Sequence, residues 1–199
     1  MTQGNDGTMT HDILNFSLRL LLVCSLAAAG LGITYGAAKN NIAKMELKER
    51  EDGARLVLEP RNLTAVEDAD LLSKVQGASG DLNDNMIAVF RGVDASGNTG
   101  GYAFVLKAKG YNFMNIAVGV DSSGKVIAVN VTTQEETPGI GSVPAESQEY
   151  LDKYQGLGPD PLRLKVNVDA WTGATFTSNG ILRGVNMALK AFNVVNEGK

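Results

Sequence analysis

The chain is poor in the side chains that carry most protein chemistry. It has one histidine, His11, and one cysteine, Cys24, both within the first 24 of its 199 residues. From Lys39 to Lys199 there is neither. That stretch therefore cannot build a Ser-His-Asp triad, a cysteine nucleophile, a Cys/His zinc site, a thiolate-held iron–sulfur cluster or a histidine-ligated haem. A disulfide framework is excluded too, so cysteine usage is silent about redox compartment. Basic excess is also missing: 18 Lys+Arg stand against 22 Asp+Glu, a formal net charge of -4. A chain without a domain-wide basic footprint is a poor nucleic-acid binder. Any electron or group-transfer chemistry here needs a bound organic cofactor.

What the chain does have begins with one long uncharged run. Leu20 to Ala38 contains no Asp, Glu, Lys or Arg. Nineteen residues at about 1.5 Å each span roughly 28 Å, close to the hydrocarbon thickness of a bilayer. Arg19 and Lys39 flank the run and can reach headgroups. Gly32 and Gly36 make a GxxxG spacing, a feature of closely approaching membrane helices. A cleaved signal ending near Ala27-Ala28-Ala29 and a lipoprotein signal at Cys24 are alternatives. The run continues past the alanines, and Val23 is bulky for a lipoprotein site, so an anchor is favoured. The expected organisation is a tail over 1–19, a transmembrane helix over 20–38 and a domain over 39–199. Lys39, Lys44, Lys48 and Arg50 follow the run while Arg19 alone borders its start. By charge bias alone the large domain would sit in the cytoplasm.

The large domain is expected to be α+β, an antiparallel sheet with packed helices. Helical segments are expected over 41–52, 62–75, 144–154 and 179–195. In the last, Ile181, Leu182, Val185, Ala188, Leu189, Phe192 and Val195 make one apolar stripe. Residues 77–85 and 135–142 read as loops. Period-two segments at 86–91, 102–107, 115–120, 125–131 and 162–168 read as strands. Asp121-Ser122-Ser123-Gly124 is a hairpin turn signal.

Three segments could hold a ligand. Asp169-Ala170-Trp171-Thr172-Gly173-Ala174-Thr175-Phe176-Thr177-Ser178 crowds hydroxyls around a glycine just before a helix. Thr177 or Ser178 would cap that helix, whose first N–H groups suit a phosphate. An ordinary capped turn is the alternative. Glu136-Thr137-Pro138-Gly139-Ile140-Gly141 offers glycines for close backbone approach and Ile140 for a planar ring; a plain hairpin loop is its alternative. Asn98-Thr99-Gly100-Gly101-Tyr102 is the third, though a Gly-Gly turn is commonly just a connector. Trp171 and Tyr111 read as packing residues, with Trp171 near enough in sequence to line a pocket.

Two of these segments together resemble one family. Asp169 to Thr175 is similar to the D-x-x-[ST]-G-A-T motif of covalent-flavin domains, and Glu136 to Gly141 to their E-T-P-G-L-G loop. With an N-terminal helix and some 200 residues, the chain resembles the G subunits of Rnf ion-translocating electron-transport complexes, relatives of the C subunit of sodium-pumping NADH:quinone reductase. The resemblance implies FMN joined by a phosphoester to Thr175, attached by a flavin transferase. With Thr175 as the anchor, Thr172, Gly173, Ala174, Thr177 and Ser178 are expected to shape the phosphate end. Thr137, Gly139 and Ile140 are expected to cover the isoalloxazine, and Trp171, Glu136 and Tyr102 to be further cofactor contacts. It implies electron relay among membrane subunits, in a complex coupling ferredoxin and NAD to Na⁺ or H⁺ movement. This subunit would not be a stand-alone enzyme. The domain would lie outside the cytoplasm, on an inner membrane, against the charge bias. Gln134 stands where relatives often carry His, and Ile140 replaces a common Leu. The rival expectation is an anchored phosphate-ligand sensor without electron transfer.

Overall fold

The computed structural model describes residues 6–197. The chain divides into two compact units, Met1–Leu47 and Lys48–Lys199. Helix α1 (Asp6–Leu58) contributes to both. In the first unit it contains the uncharged run, and it is long and apolar enough to cross a membrane. Leu20, Leu22, Leu26, Leu31 and Ile33 are all exposed. An apolar surface of that extent calls for lipid or other helices around it. The Thr34 hydroxyl donates to the Gly30 carbonyl (2.9 Å), so this polar group needs no water.

In the second unit five strands form one antiparallel meander in the order β1 to β5. They are β1 (Thr64–Glu67), β2 (Met86–Val93), β3 (Thr99–Lys109), β4 (Phe113–Asp121) and β5 (Val126–Gln134). Alternation sends Phe104, Leu106, Ile116 and Val118 to one face. There they meet α6 (Thr175–Asn196), whose buried Ile181, Val185, Ala188, Leu189 and Phe192 are the stripe expected of it. Ala103, Val105, Ala117 and Ile127 face the other way, towards Ala54, Val57 and Leu58 at the end of α1. A Cβ on Gly119 would strike the Val57 carbonyl, so this glycine lets the helix lie on the strands. The expected α+β class is what is found, and its sheet is covered on both faces.

Several expected elements differ. Residues 62–75 are not one helix: Thr64–Glu67 pairs with β2, and α2 (Ala69–Ala78) starts after Asp68. The Asp68 carboxylate accepts the Leu71 N–H (3.0 Å) and forces the break. The loop expected over 77–85 contains a short helix, α3 (Gly80–Asn85). The helix over 144–154 is two short ones, α4 (Ser142–Glu146) and α5 (Gln148–Leu151), followed by a single turn. Residues 162–168 do not form a strand. Lys165 turns left-handed (φ 62°) and its N–H bonds the Val168 carbonyl (2.9 Å). Leu162 and Val168 are buried by this bend while Val166 is 77% exposed, so the apparent alternation did not share one face.

Candidate functional site

Helix α6 starts earlier than its cap signals imply. Its first residue is Thr175, and the preceding Ala174 gives no side-chain cap. The hydroxyls expected to cap are committed elsewhere. Ser178 Oγ donates to the Ala174 carbonyl (3.0 Å) and accepts the Trp171 N–H (2.9 Å). Those bonds pin the turn from Trp171 to Ala174 against the first helical turn. Gly173 makes that turn with φ 83°, a value that favours glycine. Thr177 Oγ1 donates to Glu136 Oε2 (3.0 Å).

Glu136 is therefore the hub of the region. It is 4% exposed. Its Oε1 accepts the Asn112 N–H (3.1 Å), so one carboxylate joins the β3–β4 turn to the start of α6. Its own N–H donates to Gln134 Oε1 (2.7 Å), and Gln134 Nε2 donates to Glu146 (2.9 Å). Gln134 thus orders the loop by hydrogen bonds. The following loop closes on the Thr137 carbonyl, which accepts N–H groups from Ile140, Gly141 and Ser142. Gly139 has φ 74° there. Close approach completes the frame: a Cβ on Gly180 would lie 2.7 Å from the Gly110 backbone.

These segments enclose a cavity of about 120 Å³. Its lining joins both motifs: Glu136, Thr137, Ile140 and Gly141 from one, Gly173, Ala174, Thr175 and Thr177 from the other, with Tyr111 and Phe176. No Lys, Arg or His is among these lining residues. Thr175 is exposed, and among the described residues its hydroxyl has no hydrogen-bond partner. Of the three hydroxyls on the first helical turns, it alone is uncommitted. Around the mouth Tyr111, Ile140 and Phe176 are 67%, 57% and 68% exposed. The larger cleft of about 500 Å³ beside α6, with Asp81, Arg183 and Lys190, contains no residue of either motif.

The other expected residues are placed differently. Thr172 and Gly139 are exposed and do not line the cavity, and Ser178 is buried behind it. Trp171 packs edge-on against Tyr150 (5.8 Å between centroids) and contributes its backbone N–H. Tyr102 is not part of the site. It lies in the core, 4% exposed, between Phe104 and Phe192. Tyr111 is corrected in the opposite sense, since it is exposed at the cavity mouth rather than packed. Asn112 and Phe176 were not anticipated. A turn between two strands must present its side chains outward, which was the available signal for Tyr111.

Residues 110–190 match the FMN-binding domain family. That segment begins at the β3–β4 turn and includes every residue lining the cavity. The chain is 24% identical over 196 residues to the G subunit of the proton-translocating ferredoxin:NAD(+) oxidoreductase complex of Clostridium ljungdahlii, covering 95% of this chain and 96% of that one. It is 24% identical over 186 residues to the G subunit of the ion-translocating oxidoreductase complex of Methanosarcina acetivorans, covering 90% and 94%. The G subunit of the Na(+)-translocating ferredoxin:NAD(+) oxidoreductase complex of Acetobacterium woodii is 21% identical over 192 residues, covering 90% and 91%. The chain is a homologue of these G subunits. The similarity covers 90–95% of this chain and so extends well beyond the residues that match the FMN-binding domain family.

Proposed function

We propose that this G-subunit homologue is a membrane-anchored flavoprotein whose FMN is esterified to Thr175, and that it relays electrons between other subunits of an ion-translocating ferredoxin:NAD oxidoreductase complex. The observation that carries this reading is the free Thr175 hydroxyl in a cavity shared by both motifs. About 120 Å³ is well below the 300–1,000 Å³ of ordinary ligand pockets. It suits a phosphate, and leaves the flavin ring over Tyr111, Ile140 and Phe176 at the mouth. When bound, FMN supplies the redox chemistry that the domain's own side chains lack.

The chain's own contribution is positional. The turn pinned by Ser178 presents Thr175 at the positive end of a 22-residue helix, worth about 0.3–1 kcal/mol to an anion there. The same cavity offers no cation and contains the Glu136 carboxylate, so a freely dissociating FMN phosphate, with nearly two charges, would be held poorly. A covalent bond resolves that conflict. In making it, the bond from Thr175 Oγ1 to phosphorus forms as the bond from phosphorus to its leaving group breaks. The hydroxyl proton is released, and a flavin transferase supplies the activated flavin. A tether also keeps the cofactor at millimolar or higher effective concentration on the extracytoplasmic side of an inner membrane, where this reading places the domain. The relatives are named for both proton and Na⁺ translocation, so ion coupling is assigned to the complex as a whole.

The test is mass spectrometry of protein made alongside a flavin transferase. One FMN is expected on the peptide containing Thr175, with flavin fluorescence surviving denaturing electrophoresis. Thr175→Ala should abolish both. A parent of unmodified mass would favour the sensor alternative, and a fluorescent Thr175→Ala protein would move the attachment elsewhere.

A further inference from the structure

The hub carboxylate has a feature that a purely structural tie does not need. Glu136 is buried, yet both of its oxygens are met only by neutral donors, the Asn112 N–H and the Thr177 hydroxyl. Among the described residues it forms no ion pair. Space is cleared for it by glycines. A Cβ on Gly110 would come within 2.5 Å of Oε1, and one on Gly141 within 2.7 Å of Oε2. A neutral amide would satisfy the same geometry: a glutamine carbonyl can accept from Asn112, and its NH₂ can donate to the Thr177 oxygen. What a carboxylate can offer here and an amide cannot is charge. Charge buried without a counter-ion is only weakly screened by solvent or salt, so its field extends over the length of a ligand seated above it.

Resting on the flavin reading above, we propose that Glu136 is a positioning residue that also tunes the cofactor: its charge opposes the electron density gained on reduction and lowers the reduction potential of a flavin carried by Thr175. It reaches the flavin through the cavity it shares with Thr175. Reduction adds negative charge beside a group that is already negative, and no lining cation offsets either.

The experiment is a redox titration of flavin-loaded Glu136→Gln beside the parent, with bound flavin quantified by mass. Loading should be retained, and the midpoint should move in the positive direction. A tenfold change in the ratio of oxidised to reduced protein at a fixed poise, about 30 mV for a two-electron couple, is the size to look for. Thr177→Val is the second variant. It leaves the carboxylate but removes one hydrogen bond that disperses its charge, so its midpoint should move the other way. Equal midpoints in parent and Glu136→Gln overturn the proposal. So does a Glu136→Gln protein that folds but takes up no flavin, because that makes Glu136 a requirement for attachment and not a source of charge. A parent that carries no flavin at Thr175 would instead defeat the flavin reading itself.

Discussion

The two ends of the sheet each place an acidic side chain at a hairpin, and they treat it differently. At the β4–β5 turn Asp121 Oδ1 accepts from Ser123 N (2.9 Å), Ser123 Oγ (2.6 Å) and Lys125 N (3.0 Å), while Oδ2 meets Arg61 at 3.3 Å. At the opposite end Glu136 has two neutral donors and, among the described residues, no cation. The Asp121 carboxylate has each oxygen engaged, by local donors on one side and by Arg61 on the other. The Glu136 end leaves a free hydroxyl, a cavity and three exposed apolar side chains. Buried polar groups with every need met are structural; those met thinly, beside unspent chemistry, mark the functional end.

The largest effect expected from breaking this contrast is on flavin retention. Thr175→Ala should not only lose covalent FMN but also fail to retain free FMN through gel filtration, because no lining Lys, Arg or His pairs with the phosphate. Unfolding temperature should stay at that of the unmodified parent, since the hydroxyl makes no internal bond. Tight non-covalent retention would show that the cavity alone is sufficient. Gly180→Ala acts on the frame instead. Its Cβ would press on the Gly110 backbone, which cannot swing aside as a side chain can. A loss of about 1–3 kcal/mol in denaturant unfolding is expected, with slower flavin attachment as α6 shifts.

At the other end, Asp121→Ala should cost about 1–3 kcal/mol and leave flavin loading unchanged. Its pH dependence follows from the carboxyl. Burial would raise its pKa, but hydrogen bonds from Ser123 and Lys125 and the Arg61 charge outweigh that and hold it below the ordinary 3.8. A depressed folded-state value means the contribution is present above about pH 3.8 and lost as pH falls through the lower folded value. The stability gap between parent and Asp121→Ala should therefore be constant near neutrality and narrow in acid. A gap that widens in acid would reverse the assigned sign.

How far these two ends could be read beforehand depended on the range of the interactions involved. The Asp121 turn was legible because its bonds to Ser123 and Lys125 lie within four residues, whereas its partner Arg61, 60 residues away, was not. The α6 stripe was legible because helical period is local. The Thr175 motif was legible by resemblance, and its lone free hydroxyl became meaningful only in three dimensions. Thr177 and Ser178 look like caps in sequence. Their hydroxyls instead answer Glu136, 41 residues away, and Trp171, so the helix starts at Thr175. Tyr102 and Tyr111 exchanged roles for the same reason. Which of two tyrosines in one hairpin faces the core is set by register with β4 and by the helix above it, and neither is visible in a single strand's spelling.

The smallest effects on stability, and the finest discrimination between the two ends, should come from the exposed rim. Tyr111→Ala and Phe176→Ala remove side chains that are about two-thirds exposed, so each should change unfolding free energy by no more than about 0.5 kcal/mol. An apolar side chain kept in solvent near an attachment point is useful only if something covers it. If the flavin ring does so, both variants should load fully but show altered flavin absorption and faster quenching by a soluble collider such as iodide. The Asp121→Ala protein, damaged at the far end, should show the parent's quenching. Unchanged quenching in both rim variants would mean that the ring lies elsewhere and that this apolar rim serves a partner surface instead.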